Sequence, residues 1–211
     1  MPRFTILVYS DSLTWGIVPT TRRRLAFDDR WPGILEFELN ALGLPRPRVI
    51  EDCLNGRRTA FDDPYKPGRR ALDGVQQVME AHAPLDLLIL LLGTNDFQSM
   101  HRHSPWHSAS GLAAVVSAAR LAPIEPGMPV PPILIVAPPA LDTPRGPIAP
   151  KFAGGDVASV GLASALRQVA DESNCYFFDA NSVTTSSRID GVHLDADQHA
   201  QLGRALAPVV A

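Results

Sequence analysis

The chain has 211 residues, of which 45% are hydrophobic and 19% charged, and its formal net charge is -3. That composition excludes a disordered chain, and the charge balance offers no electrostatic case for nucleic-acid binding. The length suits one α/β domain, residues 1–211, large enough to bury roughly 70% of its extended surface without staples.

The first predicted element is a strand over about Arg3 to Tyr9, its apolar run Phe4-Thr5-Ile6-Leu7-Val8-Tyr9 ending at Ser10-Asp11-Ser12. A loop follows with Pro19, the basic run Arg22-Arg23-Arg24 and Asp28-Asp29, and the charges read as a solvated surface. Helical spacing covers Trp31 to Leu42, with Pro32 in the first turn and Gly43 at the stop. Arg48 to Leu54 is a second strand, Asn55 to Gly68 a long loop, and Arg69 to His82 a helix. Leu85 to Leu92 is apolar at nearly every position, which predicts a central strand covered on both faces. It runs straight into Gly93-Thr94-Asn95-Asp96. Ser104 is placed to cap a helix over Pro105 to Ala122. Ile133 to Ala137, Asp156 to Ser173 and Cys175 to Asp179 then read as strand, helix and strand. The last helix spans Asp195 to about Val209, with Asp195 and Gln198 spaced as a capping box and His199 expected at its surface.

Strand and helix alternate five times. The pattern predicts a three-layer α/β/α, flavodoxin-like fold around a five-stranded parallel sheet. Cys53 and Cys175 fall in predicted strands, read as buried thiols, and give no disulfide framework. With neither a leader before the first strand nor an apolar run of membrane-spanning length, the expectation is a cytoplasmic protein without membrane contact. Lys66 and Lys151 are the only lysines, a bias that coding composition explains as readily as function does.

Ligands of open α/β sheets bind beyond the carboxyl ends of the strands, and the residues there bear chemistry. Acyl transfer through serine needs a nucleophile, a base, a group that orients the base, and oxyanion donors. Ser12 follows the first strand. His193 supplies a base, and Asp190, three residues earlier, can fold back to orient it. Asn95 offers a side-chain amide after the central strand, Gly56 a backbone N–H after the second, and Ser12 its own N–H. Asp179 ends the fifth strand and competes for the imidazole, but the Asp-x-x-His spacing favours Asp190. Leu13, Trp15, Thr94 and Phe97 stand beside these groups as candidate pocket residues. His101, His103 and His107 share one loop without an interleaved Asp, Glu or Cys, so a rim or subunit contact is expected there and no metal.

These blocks resemble the SGNH (GDSL-type) hydrolases over the whole chain. The family serine matches Ser12 in Asp11-Ser12-Leu13, the glycine Gly56, the asparagine Asn95 in Gly-Thr-Asn-Asp, and the histidine His193 with Asp190. Thr14-Trp15-Gly16, Asp29-Arg30-Trp31, Asp62-Asp63-Pro64 and Pro84-Leu85-Asp86-Leu87 look most like the bacterial arylesterase and acyltransferase branch. The resemblance implies a serine esterase acting on short-chain acyl and aryl esters through an acyl-serine, without cofactor. It also implies acyl transfer to alcohols or peroxide and assembly into homo-oligomers. Two departures stand out: Ser10 occupies the position of the family's usual glycine, and Asn55 and Arg57-Arg58 are not diagnostic flanks for Gly56. Other readings are a carbohydrate acetyl-esterase, a thioesterase or lysophospholipase of the same family, and a non-enzymatic flavodoxin-like binding module. The last lacks support: there is no glycine-rich phosphate turn, and no lysine beyond Lys151.

Overall fold

The computed structural model describes residues 3–211. Five strands, β1 (Thr5–Ser10), β2 (Arg48–Cys53), β3 (Leu87–Leu91), β4 (Ile133–Ala137) and β5 (Tyr176–Asp179), form one parallel sheet in the order β2-β1-β3-β4-β5. This doubly wound order has its switch point between β1 and β3. Ser10 lies level with Leu91 there, so the two strands end side by side.

Alternation along each strand builds two cores. Leu7, Leu88, Leu90 and Ile135 face helices α3 (Ala71–His82), α4 (Pro105–Arg120) and α6 (Leu162–Glu172). Ile6, Val8, Ile89 and Leu91 face α2 (Trp31–Ala41) and α7 (Ala196–Val210), the two helices covering the opposite face. Every residue of β3 is buried, as its unbroken apolar run predicts. Each such Leu or Ile side chain stabilises the fold by roughly 1.5–3 kcal/mol when fully removed from water.

The expected boundaries move in several places. The helix predicted over 156–173 is two pieces, the short α5 (Gly155–Ala158) and α6. They are separated where Gly161 turns left-handed at φ +94, a conformation the helix cannot continue through. The cysteines are free and only half-buried: Cys53 ends β2, and Cys175 lies just before β5 rather than within it. His199 is not at the surface. It sits on the inner face of α7 at 0% exposure, where its Nδ1 accepts the Trp31 backbone N–H at 3.3 Å. Burial, then the charges of Arg30 and His193, hold its pKa down at about 3. The capping box at Asp195 and Gln198 forms as spaced, and Ser104 builds a second with His107.

Candidate active site

The site grows from the β1/β3 switch point. Beyond β1 the chain enters the one-turn helix α1 (Ser12–Trp15), capped by Asp11, whose Oδ1 accepts the Leu13 N–H at 2.9 Å. A chain of donors fixes this turn from below. Trp31 Nε1 donates to Thr14 Oγ1 (3.1 Å), Thr14 to Ser10 Oγ (2.7 Å), and Ser10 to the Leu91 carbonyl (2.7 Å). Ser10, standing where the family has glycine, is thus accommodated in extended backbone with its hydroxyl fully engaged. Ser12 is 6% exposed and opens onto a small cavity of about 30 Å³. Gly56, Asn95 and His193 line that same cavity.

Asn95 is held at both ends of its amide. Its Nδ2 donates to Asp11 Oδ2 at 2.8 Å, and its Oδ1 accepts from Gln98 Nε2 at 2.8 Å. One amide hydrogen is left unengaged among the described residues. Gln98 is in turn held by Arg58, which donates to Gln98 Oε1 and, at 3.2 Å, to the Asn95 carbonyl. Arg58 is fully buried and paired with Asp63 at 3.3 Å. A continuous relay therefore runs Arg58–Gln98–Asn95–Asp11–Leu13. Neighbouring Asp96 accepts from Thr59 N (3.1 Å), Thr59 Oγ1 (2.8 Å) and Ser108 Oγ (2.5 Å), tying the Asn95 turn to the β2 loop and to α4. Complete burial pushes the Asp11 carboxyl up to about 7 and that of Asp96 to about 6, against the pull of these hydrogen bonds.

Gly56 has φ +85 with nothing closer than 4.0 Å to a would-be Cβ, so its backbone angle rather than crowding calls for glycine. His193 and Asp190 pair through Nδ1 and Oδ2 at 2.7 Å. Asp190 Oδ1 also accepts the Val192 and His193 N–H groups, each at 2.9 Å. Burial opposes ionisation of Asp190, but these bonds and the imidazole beside it hold its carboxyl below the usual range. Gly191 makes the loop possible: at φ +76 it backs onto the Thr143 carbonyl, which a Cβ would meet at 2.4 Å. Asp179 is spent on Asn181, accepting from its N (3.0 Å) and Nδ2 (2.7 Å), and does not reach the imidazole.

The expected pocket residues lie elsewhere. Leu13 is packed in the core beside Trp31 and Leu35. Trp15 is half-buried with the Arg24 guanidinium 4.9 Å over its ring. Thr94 and Phe97 line a separate cavity of about 290 Å³ with Pro139, Leu141 and Asn181. The walls beside Ser12 and His193 come instead from Ile17, Ile148 and Phe152. Ile17 and Ile148 continue into an adjoining cavity of about 220 Å³, which Arg22, Arg145 and Lys151 line beside His193. Arg58, Gln98 and Asp11 also went unassigned from sequence. The adjacent Arg57-Arg58 and the acids Asp62-Asp63 were the available signal for a buried ion pair. His101 and His103 stack face to face at 4.8 Å, with His103 also on Phe61, rather than converging on a point. Among the described residues no three His, Cys, Asp or Glu side chains group as a metal site.

The GDSL-like lipase/acylhydrolase family matches residues 11–201. Three solved structures are similar throughout. A carbohydrate acetylesterase family member from Sinorhizobium meliloti is 40% identical, with 98% of this chain and 97% of that one covered and a TM-score of 0.91. Est24, a carbohydrate acetylesterase from the same organism, is 32% identical with 98% of both chains covered and a TM-score of 0.90. The inhibitor-bound aryl esterase of M. Smegmatis is 34% identical, again over 98% of both chains, with a TM-score of 0.92. No curated protein sequence matches this chain.

Proposed function

The chain belongs to the GDSL-like lipase/acylhydrolase (SGNH) family, and from that premise we propose that it is a serine esterase hydrolysing short-chain acyl and aryl esters through an acyl-Ser12 intermediate. The observation that carries this reading is the His193–Asp190 pair at 2.7 Å on the cavity that Ser12 and Asn95 share.

The chemistry follows from the groups present. Asp190 accepts from Nδ1 and so leaves Nε2 as the basic nitrogen that takes the Ser12 proton. Ser12 Oγ attacks the ester carbonyl. The developing oxyanion is stabilised by the free amide hydrogen of Asn95 and the N–H groups of Gly56 and Ser12; losing one such donor typically costs about 3–4 kcal/mol of barrier. The imidazolium returns its proton to the departing alcohol. Water attacks the acyl-enzyme with His193 again as base. The cavity of about 30 Å³ at Ser12 suits an acyl group of acetyl size, and the adjoining cavity of about 220 Å³ beside His193 suits the alcohol. An alcohol or peroxide as second acceptor would give acyl transfer. The carbohydrate acetylesterases among the similar structures offer a second substrate reading, for which Thr20, Arg22, Arg145 and Lys151 on the larger cavity would supply partners for sugar hydroxyls. Exposed Trp106, Val157 and Val160 support assembly into homo-oligomers. The two free thiols support a reducing, cytoplasmic setting for what reads as a single domain.

Ser12→Ala should abolish turnover of 4-nitrophenyl acetate and labelling by a fluorophosphonate while leaving the circular dichroism spectrum intact. Retained turnover would remove Ser12 as nucleophile. Across a series of 4-nitrophenyl esters, kcat/KM is expected to fall beyond butyrate, and a rise with chain length would contradict the acyl-pocket assignment.

A further inference from the structure

Lys66 and Lys151, the only lysines in the chain, both line the cavity that holds Ser12 and His193. Arg22 lines it too and, with Lys151, extends along the wall of the larger cavity beside His193. None of the three lies within ion-pair distance of a carboxylate among the described residues. The nearby acids are committed: Asp190 to His193, Asp63 to Arg58, and Asp142 to Arg145. The cations crowd one another instead. Arg22, Lys66 and Lys151 are all exposed at the cavity rim, and partial desolvation there, then Arg69 and Arg22, lowers the Lys66 pKa. Lys151 is lowered by partial desolvation and by Arg58, Lys66 and Arg22, with only Asp63 opposing.

Ordered backbone sets this cluster in place. Lys151 lies in the last turn of a 3₁₀ stretch, Gly146–Phe152, whose Ile148 and Phe152 form part of the cavity wall. Arg22 occupies left-handed backbone at φ +58, a sparsely populated conformation for a non-glycine residue and one that concentrates at ligand-binding positions. A local excess of unpaired cations in a molecule of net charge -3 presents an anion with a complementary field. Of the three, Arg22 and Lys151 continue into the cavity of about 220 Å³ assigned to the alcohol, while Lys66 does not, so an anion seated between those two belongs on the alcohol side of the ester.

We propose that the substrate is a short-acyl ester whose alcohol carries an anionic group, a carboxylate or a phosphate, seated between Arg22 and Lys151. This rests on the esterase reading and narrows its substrate class. The test compares phenyl acetate with 3-acetoxybenzoate and 3-acetoxyphenyl phosphate at low and high salt. At least one anionic ester should show kcat/KM about tenfold above phenyl acetate at low salt, chiefly through KM. The ratio should fall toward one at high salt and by about tenfold in the Arg22→Met/Lys151→Met double variant, while Lys151→Arg retains it. The two anionic arms separate carboxylate from phosphate recognition. Anionic esters processed no better than phenyl acetate, or a ratio untouched by the double variant, would overturn the proposal. Calorimetric binding of 3-hydroxybenzoate and 3-hydroxyphenyl phosphate, against phenol, requires no turnover. Binding of either anion that the double variant loses supports the charge assignment even if every ester is inert, a result that would count against the esterase reading alone; no binding of either anion counts against the charge assignment.

Discussion

Asn95 presents a hydrogen to the cavity only because Gln98 and Asp11 hold the two ends of its amide, each at 2.8 Å. Asp11 spends one oxygen on Asn95 and the other on the Leu13 N–H, so it orients the Asn95 amide, the proposed oxyanion donor, and the turn bearing Ser12, the proposed nucleophile, together. An amide in its place must either oppose Asn95 Nδ2 with its own N–H groups or leave Leu13 N unpaired. Asp11→Asn is therefore expected to lower kcat by about ten- to a hundredfold, about 1.4–2.7 kcal/mol of barrier, with little change in KM. Steady-state kinetics on phenyl acetate check this, and a loss confined to KM would count against a positioning role. At this scale the sequence was partly legible. Ser12 and Asn95 stand out as candidates because each sits in a short local block at a strand end, and Asp190 and His193 because their three-residue spacing is itself local. The role of Asp11 was hidden, since an Asp in a serine-rich turn also reads as a simple cap, which it is as well.

At the level of elements, the loop after β2 is fastened to the turn after β3 by Arg58. Its guanidinium meets the Asn95 and Asp62 carbonyls, Gln98 and Asp63, all from full burial. Removing one partner of a buried ion pair strands the other charge, at a typical cost of about 3–5 kcal/mol. Arg58→Met should lose about that much in urea unfolding and should also depress kcat, because Asn95 loses its support through Gln98. Stability within about 1 kcal/mol of the wild type would show that the pair is not what joins the loops. The elements themselves were largely readable. Unbroken apolar runs identified β3 and β4, helical spacing identified α2 and α3, and the Ser104 cap marked the start of α4. The single helix expected over 156–173 failed at Gly161, because apolar periodicity persists through a break that one left-handed residue imposes.

For the molecule as a whole, two fully buried carboxyls make stability depend on pH in an unusual direction. Asp11, at about 7, and Asp96, at about 6, bind protons more tightly folded than unfolded. Their contributions are therefore present at acid pH and decline as pH rises from about 4 through 6–7. Asp190, held low, acts oppositely: its contribution stands above the unfolded value near 3.8 and is lost as pH falls further. The Tm of the wild type relative to Asp11→Asn should consequently fall between pH 4 and pH 7, and a constant difference in calorimetry would refute the buried-carboxyl account. By itself the sequence determined the α/β alternation, the parallel sheet and the chemical groups at the strand ends. Those depend on local periodicity and on short blocks, which adjacent residues encode. Only the tertiary structure decided the Arg58-to-Leu13 relay, the burial of His199, the cavity walls of Ile17, Ile148 and Phe152, and the convergence of Arg22, Lys66 and Lys151 on the site. Each joins segments that meet only once β1 and β3 lie side by side and bring their loops together, and no local pattern in the chain records which distant loops will touch.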